Sequence, residues 1–187
     1  MTPPDMPEPI PSEMPAAVPE TRSASRYAHP LELGTMASIV ALDQITKLIV
    51  LGRLEPGVPI RVIDGFLSLT LVLNPGLAFG LLASVPAEWR WVVALLSVGA
   101  LVILVQVALR VLPRGRWPDH GAIGLIFGGA VGNLIDRARF GAVVDFVDVY
   151  YRGWHWPAFN VADSAITVGV TLLAIRLLGD RASAPRS

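Results

Sequence analysis

The stretch FNVADSAITVGVTLLAIRLL, residues 159–178, has the apolar character of a membrane-spanning helix with one exception, Asp163. An ionised carboxylate is costly inside a bilayer and is tolerated only where it faces protein or water. An aspartate in such a segment is therefore a candidate functional residue. The role of Asp163 depends on the other apolar segments of the chain and on the polar residues within them.

The composition of the whole chain supports a membrane protein. Of its 187 residues, 53% are hydrophobic and only 16% are charged, which is too apolar for an ordinary soluble domain. The formal net charge is zero, so no nucleic-acid partner is expected. The absence of cysteine excludes disulfides, thiolate metal sites and thiol nucleophiles.

Four segments approach the roughly 20 residues that cross a hydrocarbon core about 30 Å thick. The predicted spans are about 33–51, 91–112, 119–137 and 157–178. The third segment is long enough to cross the membrane only if it includes Asn133 and, further on, Asp136 and Arg137. The fourth segment must include Asn160 and Asp163. The polar ends of these two spans are therefore expected at membrane depth.

The segments around the spans predict the topology. Residues 1–30 hold eight of the sixteen prolines and no apolar run, so a disordered tail is expected. The arginines of 110–116 mark the cytoplasmic side of the membrane. With four spans both ends lie on that side, so 1–30 and 181–187 are expected as cytoplasmic tails of a four-span domain at 31–180.

Residues 57–83 have a different pattern, in which β-branched residues and leucines alternate with polar residues between glycines and prolines. This pattern predicts short strands on the outer face, between the first two spans. The segment 143–159 is rich in Tyr and Trp and is expected as a loop at the outer interface.

Charged residues within the first and third spans allow a structural and a functional interpretation. Asp43 and Lys47 are four apart, which favours an ion pair that could simply lock the first span to its neighbours. Asn133, Asp136 and Arg137 lie about one turn apart. Arg137 can pair with a carboxylate and Asn133 can offer an amide to a peptide backbone, or the group can merely cap its helix.

Glycines at 124, 128 and 132 recur at every fourth residue of the third span. Such a stripe of small residues lets another helix approach closely. We expect it to be structural.

Two aspartates, Asp145 and Asp163, have no cation at helical spacing, and both are expected at the outer membrane boundary. Two carboxyl groups in one dry site cannot both ionise cheaply, so one keeps a proton and the pair can act as acid and base on water. The alternative is that each caps a helix or binds a loop amide. Metalloprotease and serine-hydrolase motifs are absent from the sequence, so neither a metal nor a cofactor is expected.

Five blocks of the sequence resemble the lipoprotein signal peptidases, the bacterial signal peptidase II family. They occur in the family's order and rough spacing, as LDQITK (42–47), NPGLAFG (74–80), GGAVGNLIDR (128–137), VVDF (143–146) and FNVADSAI (159–166). Each block alone is a modest signal, and five in order over most of a four-span chain are specific.

The resemblance implies an intramembrane aspartic endopeptidase that cleaves diacylglyceryl-modified prolipoproteins N-terminal to the lipidated cysteine. It assigns the catalytic pair to Asp145 and Asp163. Supporting positions that match the family's motifs are Asp43, Lys47, Asn74, Gly76, Asn133, Asp136, Arg137 and Asn160. The implied fold is four transmembrane helices with a small extracytoplasmic β-cradle.

The same resemblance implies prolipoprotein substrates and membrane lipids as partners, a monomer, and a place in the bacterial inner membrane with the active site at the outer leaflet. A transporter or channel component is the competing class, because intramembrane acids also relay protons. A scaffold without catalytic activity is a third possibility.

Overall fold

The computed structural model describes residues 30–76, 86, 88, 90–111 and 117–182. Within these residues four long helices run α1 Pro30–Arg53, α2 Arg90–Val111, α3 Trp117–Phe140 and α4 Val161–Ala182. The described strands are β1 Ile60–Ile63, β2 Leu67–Asn74, β3 Val143–Tyr151 and β4 Trp154–His155. Of the predicted tails 1–30 and 181–187, residue 30 belongs to α1 and residues 181–182 belong to α4. The rest of both tails, and residues 77–83 of the segment with predicted strands, lie outside the described residues.

Helix α3 packs against α1, α2 and α4. Glycines allow the close approach: a Cβ atom on Gly128 would lie 2.7 Å from the Ile39 Cβ atom of α1. On Gly124 it would lie 2.7 Å from the Glu32 carbonyl oxygen, and on Gly132 it would meet Asp43. The predicted packing role of the glycine stripe is confirmed, and α1 is its partner helix.

The outer faces of the helices are apolar. Large side chains such as Ile49 of α1, Ile103 of α2 and Ile175 of α4 remain exposed, which is unusual for a protein surrounded by water. By length and composition α1 can cross a membrane, and Trp91–Gln106 of α2 forms a shorter apolar stretch. The described fold is therefore helical, with a lipid-compatible surface and a small sheet.

The four described strands form one antiparallel sheet in the order β1-β2-β3-β4. Strand β3 places Asp145 opposite Val72 and Asp148 opposite Ser68 of β2. The expected loop at 143–159 is therefore wrong over much of its length. Strand β3 pairs with residues 69–82 positions earlier in the chain, and a local sequence pattern does not reveal such a pairing.

The end of α3 turns the chain back towards the helices. Gly141 has a φ of 67° and donates its backbone N–H to the Arg137 carbonyl oxygen at 3.0 Å. A left-handed residue with this bond is a common helix C-terminus, and glycine adopts it without a Cβ penalty. The turn directs β3 back along α3, so that Asp145 returns to the level of Asp136.

Helix α4 begins at Val161, four residues later than the expected start near Pro157. Asn160 therefore precedes the helix instead of lying within it, and Asp163 lies in its first turn. The Asn160 side-chain oxygen accepts the Asp163 N–H at 2.9 Å, and the Asp163 carboxylate accepts the Asn160 N–H at 3.2 Å. This reciprocal capping box fixes the start of the helix.

Replacing Gly128 by alanine is predicted to destabilise the fold by about 1–3 kcal/mol, because the added methyl group overpacks the contact with α1. The matched control is Gly99→Ala in α2, where an added Cβ atom meets nothing within 4 Å. The control should be neutral or more stable by up to about 1 kcal/mol through helix propensity. Thermal unfolding of the purified variants in detergent measures both, and equal effects of the two changes would contradict the close packing.

Candidate functional site

A buried ion cluster lies where α1 meets α3. The Lys47 ammonium lies 2.8 Å from Asp43 Oδ2 and 2.7 Å from Asp136 Oδ2, and the three side chains are at most 2% exposed. The ion pair predicted between Asp43 and Lys47 is therefore present. Asp136 of α3 joins it, so a single cation faces two carboxylates.

The two carboxylates of this cluster also hold backbone amides. Asp43 Oδ1 accepts the N–H of Ala162 at 3.0 Å. Asp136 Oδ2 accepts the N–H of Val144 at 3.1 Å. Ala162 immediately precedes Asp163 and Val144 immediately precedes Asp145, so the ion cluster fixes the backbone beside both candidate catalytic residues.

Asn160 joins the two candidate aspartates. Its side-chain nitrogen donates to Asp145 Oδ1 at 2.8 Å, while its backbone N–H and side-chain oxygen form the capping box with Asp163. Asn160 is fully buried, Asp145 is 2% exposed and Asp163 is partly exposed. The structure therefore brings together the two aspartates that the sequence analysis paired. Asp163 is also a capping residue, which is the second of the two alternatives raised for it.

Asn133 connects the ion cluster to the aspartates. Its side-chain nitrogen donates to Asp163 Oδ1 at 2.8 Å, and its oxygen accepts from Lys47 Nζ at 3.1 Å and from Asn160 at 3.2 Å. The sequence predicts an Asn133 amide that contacts a peptide backbone, whereas here its nitrogen is bonded to Asp163. The amide thus orients a carboxyl group of the site.

A second chain of contacts reaches Asp145 from the end of β2. Arg137 Nη2 donates to the Gly76 carbonyl oxygen at 2.8 Å, and the Gly76 N–H donates to Asn74 Oδ1 at 2.9 Å. The Asn74 side-chain nitrogen then donates to Asp145 Oδ2 at 3.0 Å. Both oxygens of Asp145 accept a hydrogen bond from an asparagine.

Arg137 forms no ion pair with a carboxylate among the described residues, although the charges of Asp163, Asp145 and Asp136 act on it. Asp136 pairs with Lys47, and Arg137 donates to the carbonyl oxygens of Gly76 and Asn133. Consecutive residues of a helix point in different directions around its axis, so Asp136 and Arg137 cannot both face the same partner. Arg137 thereby fixes the chain at Gly76 beside the site.

The Asp145 carboxyl group holds its proton unusually strongly. Burial raises its pKa to about 7, and the negative charge of Asp163 acts in the same direction. Hydrogen bonds from Asn74 and Asn160 and the charge of Lys47 act in the opposite direction and are weaker than the burial. An ordinary aspartate has a pKa of about 4. Asp145 therefore retains a proton in a pH range where free aspartate is ionised, and loses it as the pH rises through about 7.

Asp148 lies in a different environment from Asp145. Its carboxylate accepts from the Ser68 hydroxyl group at 3.0 Å and lies 2.8 Å from the His155 ring nitrogen. These groups, with Arg61 and Tyr150, line an open cleft of about 530 Å³ on the sheet. Residues three apart on a strand point to opposite faces. The structure therefore distinguishes two aspartates that composition alone leaves equivalent.

Gln44 belongs to this site and is missing from the residues singled out in the sequence. Its side-chain nitrogen lies 3.1 Å from Asp136 Oδ1 and 3.2 Å from Asp43 Oδ2. An available signal was its polar side chain within an apolar span, next to Asp43.

The sequence matches a family model over most of its length. Residues 35–179 match the model described as signal peptidase (SPase) II. Three curated relatives, each called lipoprotein signal peptidase, illustrate the similarity. The Geobacter sulfurreducens protein is 46% identical over 147 residues, covering 78% of this chain and 91% of the relative. The Desulforapulum autotrophicum protein is 49% identical over 142 residues, covering 75% and 86%. The Solibacter usitatus protein is 44% identical over 145 residues, covering 78% and 88%.

Two solved structures share the fold. Both are described as a bacterial membrane enzyme structure obtained by the in meso method. The one at 2.3 Å resolution has a TM-score of 0.66 and 33% identity, covering 83% of this chain and 92% of its own. The one at 1.9 Å has a TM-score of 0.64 and 34% identity, covering 80% and 93%.

Replacing Lys47 by methionine is predicted to destabilise the protein by about 3–5 kcal/mol, because Asp43 and Asp136 would stay buried without their cation. Adding Asp43→Asn to that variant should recover part of the loss, since one uncompensated charge is removed. Chemical or thermal unfolding in detergent measures the three proteins. A Lys47→Met protein as stable as wild type would show that the cluster does not stabilise the fold.

Proposed function

Because the chain belongs to the signal peptidase II family, we propose that Asp145 and Asp163 are the carboxyl groups with which it hydrolyses its substrate. The chain is a protease that removes signal peptides from prolipoproteins, and the family predicted from the five motifs is confirmed. The observation that carries the assignment is the position of Asn160, which contacts both aspartates at the junction of β3 and α4.

The proposed chemistry needs one protonated and one ionised carboxyl group. The raised pKa of Asp145 supports a proton on that residue in the resting enzyme. Asp163 stands in the first turn of α4, is more exposed than Asp145, and accepts hydrogen bonds from the Asn133 side chain and the Asn160 N–H. In this assignment Asp163 takes a proton from the attacking water while Asp145 donates its own to the scissile carbonyl oxygen. The proton on Asp163 then passes to the leaving amine as the C–N bond breaks, and a hydroxyl group of the tetrahedral intermediate returns a proton to Asp145.

The surrounding residues divide into two groups by their contacts. Asp43, Lys47 and Asp136 hold the backbone beside the aspartates. Asn133 and Asn160 orient the carboxyl groups themselves. Positioning of this kind lowers the barrier, because the reacting groups are held in place before the substrate arrives.

The end of β2 is the expected contact for the substrate backbone. Asn74 and Gly76 lie beside Asp145 and are fixed by Arg137. A peptide in extended conformation could place its scissile carbonyl group between this segment and Asp163. The two acyl chains of a diacylglyceryl-modified cysteine would then lie against the apolar faces of the helices, which agrees with cleavage N-terminal to that cysteine.

We further propose four membrane spans, α1 to α4, with both termini in the cytoplasm and the sheet outside as the β-cradle. The arginines of 110–116 support this orientation. The exposed apolar side chains of α1, α2 and α4 support lipid contact along the helices. Asp145 and Asp163 would then lie at the outer leaflet of the bacterial inner membrane, in a monomeric enzyme.

Asp145→Asn and Asp163→Asn are each predicted to lower kcat by roughly three to six orders of magnitude, because an amide can neither take nor pass on the proton. Asp148→Asn is the matched control and should keep most of the wild-type turnover. The assay is cleavage of a diacylglyceryl-modified prolipoprotein by purified protein, normalised to folded enzyme. An active Asp145→Asn protein beside an inactive Asp148→Asn protein would reverse the assignment.

The pH profile of kcat/KM is predicted to fall on its alkaline side as the pair loses its shared proton near the raised pKa of Asp145, about 7. Replacing Asn74 by alanine removes a hydrogen bond that favours ionised Asp145. The pKa of Asp145 should therefore rise further, and the alkaline limb should move to higher pH. A limb that stays in place, or moves to lower pH, would contradict the role of Asp145 as the proton donor.

A further inference from the structure

The Gln44 side chain connects the two carboxylates that flank Lys47. Its nitrogen lies within 3.1–3.3 Å of Asp136 Oδ1, Asp43 Oδ2 and the Gly132 carbonyl oxygen. Its oxygen accepts from Arg139 Nη1 at 3.4 Å. The two ends of the amide therefore have different partners, and the donor end faces the ion cluster.

An amide suits this position for a chemical reason. Lys47 has three N–H donors, and Asp43, Asp136 and Asn133 accept them. The Asp136 oxygen on the side away from Lys47 is buried, and a buried acceptor without a hydrogen-bond donor is costly. The Gln44 NH₂ group supplies a donor without adding a second positive charge to the cluster.

The contacts of Gln44 lead to both halves of the proposed catalytic pair. Through Asp43 they reach the N–H of Ala162, and through Asp136 they reach the N–H of Val144. Each of these residues immediately precedes one of the two proposed catalytic aspartates. A shift of the Asp43 carboxylate would therefore move the backbone beside Asp163, and a shift of the Asp136 carboxylate would move the backbone beside Asp145. Either shift would change the relative position of Asp145 and Asp163.

We propose that Gln44 is a positioning residue for the hydrolysis, whose side-chain NH₂ group holds Asp43 and Asp136 so that Asp145 and Asp163 keep their mutual geometry. The inference rests on the proposed assignment of those two aspartates. Gln44 acts through the carboxylates and does not itself touch the reacting atoms.

Two substitutions separate the donor chemistry of Gln44 from its size. Gln44→Met keeps the length of the side chain and removes both N–H donors. Gln44→Glu keeps the shape and places an acceptor against Asp43 and Asp136, so only its protonated form can donate. The charged groups that face this position are Asp43 and Lys47 of α1 and Asp136 and Arg139 of α3.

Thr46→Val is the matched control on the same helix. The Thr46 hydroxyl group donates to the carbonyl oxygens of Leu42 and Asp43 within α1. Its loss removes a hydrogen bond of the same span and leaves the side-chain contacts of the cluster intact. Wild-type, control and variant enzymes are purified at full length and assayed on one diacylglyceryl-modified prolipoprotein, with kcat, KM and Tm measured for each.

The expected result is a fall in kcat of about 10- to 100-fold for Gln44→Met with little change in KM, the size of effect that a small misplacement of reacting groups produces. Gln44→Glu should be less active than Gln44→Met at neutral pH. Its activity relative to wild type should rise as the pH is lowered, because protonation restores a donor. Thr46→Val should match wild type.

Two results would overturn the inference. One is a wild-type kcat for Gln44→Met. The other is a Gln44→Glu enzyme with the same kcat and pH profile as Gln44→Met, since that would indicate packing rather than hydrogen-bond donation. Asp145→Asn in the same assay separates this failure from failure of the site assignment. An inactive Asp145→Asn enzyme beside a fully active Gln44→Met enzyme removes only the role of Gln44, whereas an active Asp145→Asn enzyme removes the assignment on which it rests.

Discussion

The contact of one ammonium group with two carboxylates, Lys47 with Asp43 and Asp136, is the interaction on which the rest of the site depends. Removing these charges from water costs several kcal/mol for each ion, so the cluster is stable only because every member is paired and hydrogen-bonded. The same contacts join α1 to α3 and, through backbone amides, reach β3 and α4. One buried group of charges thus holds four elements in register.

The ion cluster and the proposed catalytic pair differ in their hydrogen-bond partners. The ion cluster consists of groups whose charges are balanced by near neighbours, whereas Asp145 and Asp163 have asparagines as their side-chain hydrogen-bond partners among the described residues. The hydrogen bonds from Asn74 and Asn160 favour the ionised form of Asp145, but more weakly than its burial favours the protonated form. The proton needed for acid–base chemistry can therefore stay on the pair. Asn133 and Asn160 form the boundary between the two sets of charges.

Part of this architecture could be predicted from local sequence. The four-residue spacing of Asp43 and Lys47 indicates their ion pair, and the glycine repeat indicates close packing of the third span. The start of α4 is also encoded locally, because Asn160 and Asp163 have the spacing of a capping box. The partner of Asp136 was not encoded in this way, because Lys47 comes from another helix. Strand β3 depends on pairing with β2, and the position of Gln44 depends on the helix contact. Contacts between residues that are far apart in the chain produce no periodic pattern in the local sequence.

The central claim is that Asp145 and Asp163 share a single proton at neutral pH. Infrared difference spectroscopy of the purified enzyme in lipid tests it most directly, since a protonated carboxyl group has a C=O stretch distinct from that of a carboxylate. A band of a protonated carboxyl group is expected near pH 6 and should disappear as the pH is raised past about 7. The band should be absent from the double variant Asp145→Asn/Asp163→Asn and present in Asp148→Asn. A wild-type enzyme without the band near pH 6, or a double variant that keeps it, would contradict the shared proton.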